Sequence, residues 1–539
     1  MSGTTEPTGG RCVAPDVSVV VAAYNTMPYL THCLTSLVQQ SIGRERMEII
    51  AVDDGSTDGS GKELDRFARR YPGTVTVFHQ ANSGGPAAPS NRALDVARGR
   101  YVFFVGADDY LGREALERLV SAADRLDSDV VAGKVVGVNR RYVHQALFST
   151  SDADIGLFDS ALPWSLANTK LFRRELIERH GLRYPEHMPI GSDQPFTLEA
   201  CVRAQRISVL ADYDYYHAVR RLNARNITYR SRHDERLRSV AQLMNFVADL
   251  IQPGKQRDAI LVRHFSWELA KLLGDDFLRL DGATQEQIHT GARELAELYL
   301  TEDIRDQLAV EARLRLSIAH RGSLDDLIAV IRQDAERGVP PTITDGDRWF
   351  ASYPGFRDGP TALPDSCFDV TESAVDWMAK LDATSVEWES GDDGERMVTI
   401  TARSPLPDLT ALCSTPVRMM AGETPGVSTL VADSTGTAGS TGTTVRAQFL
   451  VDQLLADSAA SGQRMTVRAL VTAFGKNGVA PMRAPRLQPS MPAVCRRGLR
   501  LYVITPTRDN SGQFMVAITP VTPRRVIARL RRGWPRGIG

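Results

Sequence analysis

The sequence predicts an α/β protein, with a mostly parallel-sheet domain, then a helical stretch, then a β-rich region. Three observations carry this. Residues 17–110 alternate between short β-branched apolar runs and segments of helical spacing. Residues 231–337 keep apolar residues at three- and four-residue intervals. Beyond the Gly338-Val339-Pro340-Pro341 break, β signals return without intervening helices, which favours a sandwich.

The elements follow in order. Val17 to Ala23 is a short apolar run suited to a buried parallel strand. A helical pattern covers 27–40. A second strand, 47–52, closes on Asp53-Asp54-Gly55, and a helix spans 60–70. A third strand at 75–78 and a helix at 90–97 precede a fourth strand, 101–105, which ends at Gly106-Ala107-Asp108-Asp109. Ligands of such sheets bind beyond the carboxyl ends of the strands, where both Asp-rich turns lie. Helical spacing recurs at 236–250 and 257–273, and β runs at 397–402, 444–450, 465–471 and 499–504. Asp509-Asn510-Ser511-Gly512 reads as a hairpin turn, and the Ser/Thr/Gly stretch 434–444 as one loop. The expected division is a disordered N-terminus over 1–15, an α/β domain over 16–230, a helical linker over 231–344, a β-sandwich over 345–522 and a basic tail over 523–539.

Of 539 residues, 64 are Lys or Arg and 65 are Asp or Glu, a balance that argues against a dedicated nucleic-acid binder. Six scattered cysteines form no CxxC pair, so neither a zinc site nor a disulfide framework is expected, and reduced thiols in a cytoplasm are the simplest reading. The polar start lacks the apolar core of a signal peptide, and no stretch approaches ~18 continuous apolar residues. The tail holds six arginines from Arg524 to Arg536, with Trp534 among them. It suits either peripheral contact with an anionic inner leaflet or a solvated basic end.

Four segments carry candidate chemistry. In Asp53-Asp54-Gly55-Ser56-Thr57-Asp58, a carboxylate at a strand end can accept from a uracil N–H or a ribose hydroxyl, or the segment is a capped turn. Asp108 and Asp109 repel unless a cation lies between them; a divalent metal on a diphosphate is the natural partner, a solvated helix cap the alternative. Asn82-Ser83-Gly84-Gly85 lets a backbone approach a ligand, or is an ordinary loop; it is neither a dinucleotide fingerprint nor a P-loop. Asp193, in Gly191-Ser192-Asp193-Gln194-Pro195-Phe196, is a general base if it faces the pocket and an N-cap otherwise.

These motifs, in this order and register, resemble the family-2 glycosyltransferases of GT-A fold, over about 17–228. The resemblance rests on Val17 to Asn25, Val52 to Asp58, Asn82-x-Gly84, Asn91-Arg92, Ala97-x-Gly99-x-Tyr101 and Gly106 to Asp109. It implies a nucleotide-diphosphate sugar, held with Mn²⁺ or Mg²⁺. It implies that Asp54 holds uracil, that Asp53 supports the turn, and that the backbone of Ala22, Ala23 and Tyr24 lines the base. Asn82, Gly84, Asn91, Arg92, Gly106 and Ala107 are implied around the donor. Asp108 and Asp109 stand at the metal-binding motif, with His217 as a further metal or diphosphate contact, and Asp193 at the catalytic base. Gly106 departs from the pattern, where an Asp is common; Ala22, Ser90 and Ser192 depart at lesser positions.

The architecture is also similar to one branch of the family, the teichoic-acid enzymes such as poly(ribitol-phosphate) β-N-acetylglucosaminyltransferases, which can trimerise through an immunoglobulin-like C-terminal region. That implies an inverting transferase using a UDP-sugar, with an anionic cell-envelope glycopolymer as acceptor. Lys170, Arg220 and Arg221, with Arg173, Arg174 and Arg225, are the candidate cations for such an acceptor; each is individually as well explained as solvated surface. The competing readings are a different saccharide acceptor, lipid-linked or capsular, and a catalytically weak sugar-binding scaffold.

Overall fold

The computed structural model describes residues 14–221, 232–338, 340–346, 348–358, 363–390, 395–404, 417–432, 443–457, 464–473, 476–484, 492–509 and 512–521. The basic tail, Arg225, Cys12 and Cys413 lie outside the described residues, as does most of the expected 434–444 loop. Thr443, placed in that loop by composition, begins the strand expected from 444. Among the described residues, no helix is long and apolar enough to cross a membrane, and Cys33, Cys201, Cys367 and Cys495 are free thiols.

The chain divides into two compact units: Met1–Leu272 with Asp281–Leu308, and Leu273–Leu280 with Ala309–Gly539. The helical stretch is thus shared. His233–Leu250, Lys255–Arg263, Gly282–Tyr299 and Glu302–Gln307 fall in the first unit, Val310–Arg321 and Leu324–Arg332 in the second.

In the first unit, β1 (Val17–Ala23), β2 (Met47–Asp53), β3 (Val75–His79) and β4 (Tyr101–Phe104) alternate with α1 (Tyr29–Val38), α2 (Ser60–Arg70) and α3 (Ala87–Leu94). β5 (Tyr110–Leu111), α4 (Ala115–Leu126), β6 (Val130–Gly133), β7 (Val135–Val138) and β8 (Leu171–Arg173) follow. α5 (Arg174–His180), α6 (Asp193–Arg203), β9 (Ile207–Leu210) and β10 (Tyr216–Val219) complete the set. The main sheet runs β3-β2-β1-β4-β8-β6-β9. Only β8 is antiparallel to its neighbours. The central strands are buried along nearly their whole length, as a sheet covered on both faces requires. A smaller sheet, β5-β10-β7, stands beside it.

α3 starts three residues earlier than its expected 90–97, because Pro89 needs no N–H partner in a first turn. Gly99 is where backbone meets backbone: a Cβ there would lie 2.4 Å from Ser18 N and 2.7 Å from Val17 C. The Ala97-x-Gly99-x-Tyr101 motif thus serves packing against β1.

Among its described residues, the second unit holds two antiparallel sheets and a short hairpin. Its four-stranded sheet pairs Asp382–Ser390, Arg396–Arg403, Thr443–Leu450 and Val427–Ala432. Val398, Ile400 and Ala402 alternate inward opposite Phe449, Ala447 and Val445. In the other sheet, Arg500–Arg508 and Phe514–Pro520 form the hairpin expected at Asp509; Gly512 N donates to Asp509 O at 3.1 Å.

Candidate active site

The strand order brings the ends of β2, β1 and β4 side by side. Ala23 pairs with Asp53, and Asp54 N donates to Ala23 O at 2.9 Å. Asp54 is buried, and its carboxylate is met by Gln80 Nε2 at 2.7 Å, Ser83 Oγ at 2.9 Å and Ser83 N at 3.1 Å. Asp53 accepts from Ser56 N at 3.1 Å and pairs with His79 at 3.0 Å. Both carboxylates therefore shape the turn and the loop facing it. Gly55, with φ +76°, lies so near that loop that a Cβ would come within 2.8 Å of Asn82 N. Asn82 donates to Asp54 O and accepts from Gly84 N, whose φ is +88°. At the end of β1, Ala22 is partly open, Ala23 is buried and Tyr24 is exposed. Asn25 locks this end to the β2 turn, accepting from Thr57 N at 2.8 Å.

Asn91 and Arg92, implied around the donor, have protein partners in the structure. Asn91 is buried, exchanges two hydrogen bonds with the Tyr184 backbone and donates to Glu186. Arg92 donates to His79 O at 2.9 Å and lies over the Phe78 ring. Both side chains thus make bracing contacts within the protein.

Asp108 and Asp109 diverge although adjacent. Asp109 is buried, accepting from Tyr216 Oη at 2.7 Å and Val219 N at 2.6 Å, with Arg141 at 3.7 Å. Burial, and then the neighbouring Asp108 charge, push its carboxyl up to about 7. Gly106 N donates to the same Tyr216 oxygen at 2.9 Å, and Ala107 is buried behind the turn. A Cβ at Gly106 would lie 2.7 Å from Asp109 Oδ2, so a glycine in place of the common Asp makes room for this carboxylate. Asp108 pairs with Arg221 Nε at 2.8 Å, and Arg221 also donates to Asn25 O at 3.1 Å.

His217 is not gathered with these carboxylates. Tyr216 points to Asp109, so its strand neighbour faces the other way. There His217 stacks on Tyr110, which stacks in turn on His32, at 4.4 and 4.3 Å. His217, Asp109 and Asp108 thus each have protein partners, and His217 lies apart from the two carboxylates. Among the described residues no cluster of three or more His, Cys, Asp or Glu side chains is built to hold a metal. Asp108 alone, a hard oxygen donor, suits a divalent ion whose remaining ligands are diphosphate and water oxygens.

Asp193 is the first residue of α6, and Ser192 before it makes no side-chain cap, so Asp193 is not the N-cap. Burial raises its pKa, against the opposing pull of Arg263 and Lys170. Lys170, expected to meet an acceptor, is instead buried. Its ammonium donates to the carbonyls of Ser165 and Ala167, and burial lowers its pKa to about 8. Arg221, expected in the same role, lies at the Asp108 turn, while Arg220 is partly exposed with its N–H on Val138 O at 3.1 Å.

Sequence reading missed Tyr216, Arg141 and Arg263. Period-two alternation along β10 could have selected Tyr216 over His217. Arg263 donates to Gln194 at 2.7 Å and pairs with Glu268 at 2.8 Å, at the start of the π-helical turn His264–Leu269. Trp267 of that turn meets the rings of Trp164 and Tyr142, the latter adjoining Arg141. No local signal in the sequence links these segments.

Residues 18–191 match the Glycosyl transferase family 2 model, and residues 234–331 match the Glycosyl transferase TarS linker domain. The chain is 40% identical over 205 residues to a poly(ribitol-phosphate) beta-glucosyltransferase of Bacillus spizizenii, covering 38% of this chain and 32% of that protein. It is 36% identical over 256 residues to the Staphylococcus aureus poly(ribitol-phosphate) beta-N-acetylglucosaminyltransferase TarS, covering 46% and 44%. The first curated relatives are thus matched over less than half their length. It is 31% identical over 242 residues to the uncharacterized glycosyltransferase EpsJ of Bacillus subtilis, covering 42% of this chain and 68% of EpsJ. The solved structure of S. aureus TarS matches 95% of this chain and 86% of its own at 20% identity and TM-score 0.58, a likeness of fold. The TarS 1–349 structure in complex with UDP-GlcNAc matches 65% of this chain and 99% of its own, at 26% identity and TM-score 0.56.

Proposed function

The chain belongs to glycosyl transferase family 2, and on that premise we propose that it moves N-acetylglucosamine from a UDP-sugar to a hydroxyl of a polyol-phosphate glycopolymer of the cell envelope, with inversion. The observation that carries this is the convergence of two Asp turns on the end of β1, one held by a facing loop and one paired with arginine. The relatives acting on poly(ribitol phosphate), and the related structure holding UDP-GlcNAc, support the acceptor and donor.

In this reading the backbone after β1 and the turn at Asp53-Asp54 receive uridine, and the Asn82–Gly84 loop closes over it. Asp193 takes the proton of the acceptor hydroxyl as that oxygen attacks the anomeric carbon, and the bond to the UDP oxygen breaks. Partial burial makes Asp193 a stronger base than a solvated carboxylate, while Arg263 and Lys170 keep its ionised form accessible. Arg221 and Arg141 supply positive charge where the leaving diphosphate gathers negative charge. A Mn²⁺ or Mg²⁺ ion on Asp108 would add Lewis-acid stabilisation of that diphosphate. Arg220, partly exposed, would meet an anionic acceptor. Peripheral contact with the inner leaflet of the membrane and trimer formation through the second unit belong to the same proposal. A monomer mass in solution would remove the trimer.

The test is UDP release from UDP-N-acetylglucosamine and, separately, UDP-glucose, with and without poly(ribitol phosphate) and Mn²⁺. Acceptor-dependent release from the first donor supports the reading, and preference for UDP-glucose corrects the sugar. Failure to bind any UDP-sugar sinks it. Release with a lipid-linked or capsular saccharide, but not with the polyol phosphate, transfers the acceptor to that class.

A further inference from the structure

At the end of β3, two consecutive side chains reach back to two consecutive aspartates. Gln80 donates to Asp54, and His79 Nδ1 lies 3.0 Å from Asp53 Oδ2. The other ring nitrogen, Nε2, lies 3.0 Å from Asp65 Oδ1 on α2. A neutral imidazole has one N–H and can donate to one carboxylate; only an imidazolium serves both. The geometry is therefore that of a charged His79 between two carboxylates, and their hydrogen bonds raise its pKa, that to Asp53 foremost.

The contact continues inward. The second oxygen of Asp53 accepts from Ser56 N at 3.1 Å, and Ser56 Oγ accepts from Asn25 N at 3.1 Å. A relay thus joins Asp65, His79, Asp53, Ser56 and Asn25, from a half-exposed ring to the backbone that follows β1. Space for it is tight: a Cβ on Gly61 would lie 2.5 Å from Asp53 Oδ2 and 3.5 Å from the His79 ring. The nearby cation on α3, Arg92, engages the main-chain oxygen of His79 rather than its ring.

We propose that His79 is a positioning residue for the nucleotide turn, and that UDP-sugar binding weakens as its imidazolium loses a proton. This rests on the donor reading above. A neutral His79 must release one carboxylate; when it releases Asp53, the turn that fixes Ser56 and Asn25 loosens. His79 is placed away from the reacting atoms, so the effect falls on donor affinity rather than on the chemical step.

The experiment is calorimetric titration of the full chain with UDP-N-acetylglucosamine and UDP-glucose between about pH 6 and about pH 8.5, spanning the usual imidazole range. Disubstituted diphosphates keep their charge across it. The wild-type Kd is expected to rise about fivefold across the window, the worth of one hydrogen bond. His79→Gln binds at every pH with the weaker, high-pH affinity. Asp65→Asn keeps tight binding and loses the pH slope, because a neutral His79 can then serve Asp53 alone. Melting curves confirm that the variants are folded. A flat wild-type profile, or an unchanged slope in His79→Gln, overturns the role of His79 while leaving the donor reading intact. No binding by wild type at any pH overturns the donor reading, and this proposal with it.

Discussion

Asp53-Asp54 and Asp108-Asp109 are the same dipeptide at equivalent places, the ends of the two strands that flank β1. Their surroundings differ. Asp54 is met by an amide, a hydroxyl and a main-chain N–H. The second pair is met by a tyrosine hydroxyl, a main-chain N–H and two guanidinium groups. In the first pair Asp54 meets neutral partners and Asp53 an imidazole and a main-chain N–H, whereas the second pair faces two guanidinium groups. Two carboxylates do not define a metal site until their partners are known.

The comparison can be broken at several points. The largest effect is expected from a residue outside both turns: Asp193→Asn should slow transfer by roughly 10³-fold while leaving UDP-sugar binding unchanged. Loss of binding instead would move the base into the donor site. Next, Asp108→Asn should weaken Mn²⁺-dependent UDP binding by about tenfold or more, an estimate for one lost hard ligand. Asp54→Asn should weaken binding with and without metal alike. Equal loss of the metal response in both variants, followed by calorimetry, would erase the distinction between the turns.

Gly106→Ala sharpens the contrast through packing. Its Cβ has no room beside Asp109, so about 1–3 kcal/mol of stability should be lost in chemical denaturation. An unaffected midpoint would show that the second turn yields easily.

The smallest effect concerns pH. Asp193 must be ionised to accept a proton, so activity rises with pH through its raised pKa. The Lys170 ammonium favours the ionised form, so Lys170→Met should move the acidic limb of kcat/KM to higher pH. A limb that stays in place would assign Lys170 to holding the Ser165 and Ala167 carbonyls alone.

Much of the fold is legible from local patterns. The expected limits of β1 and α2 agree with the structure, because a β-branched run and an amphipathic eleven-residue segment carry their own periods. β8 is three residues long and escapes any periodicity. The long helix expected over 257–273 is interrupted by the π-helical turn at His264–Leu269, which apolar spacing does not reveal. In the site, residue types at strand ends singled out Asp53, Asp54 and Asp108 as candidates, and the family resemblance added Asp193, which opens a helix. They misassigned His217, which faces away, and Lys170, whose long side chain is buried on backbone carbonyls.

Local order of residues was enough to establish strand–helix alternation, the turns at the strand ends and the family resemblance, since each depends on neighbours a few positions apart. What surrounds each carboxylate depended on residues far along the chain. Tyr216, Val219 and Arg221 reach Asp109 and Asp108 across 107, 110 and 113 positions. The charge and availability of a carboxylate are set by what surrounds it in space, and those distant partners arrive only when β10 folds beside the Asp108-Asp109 turn.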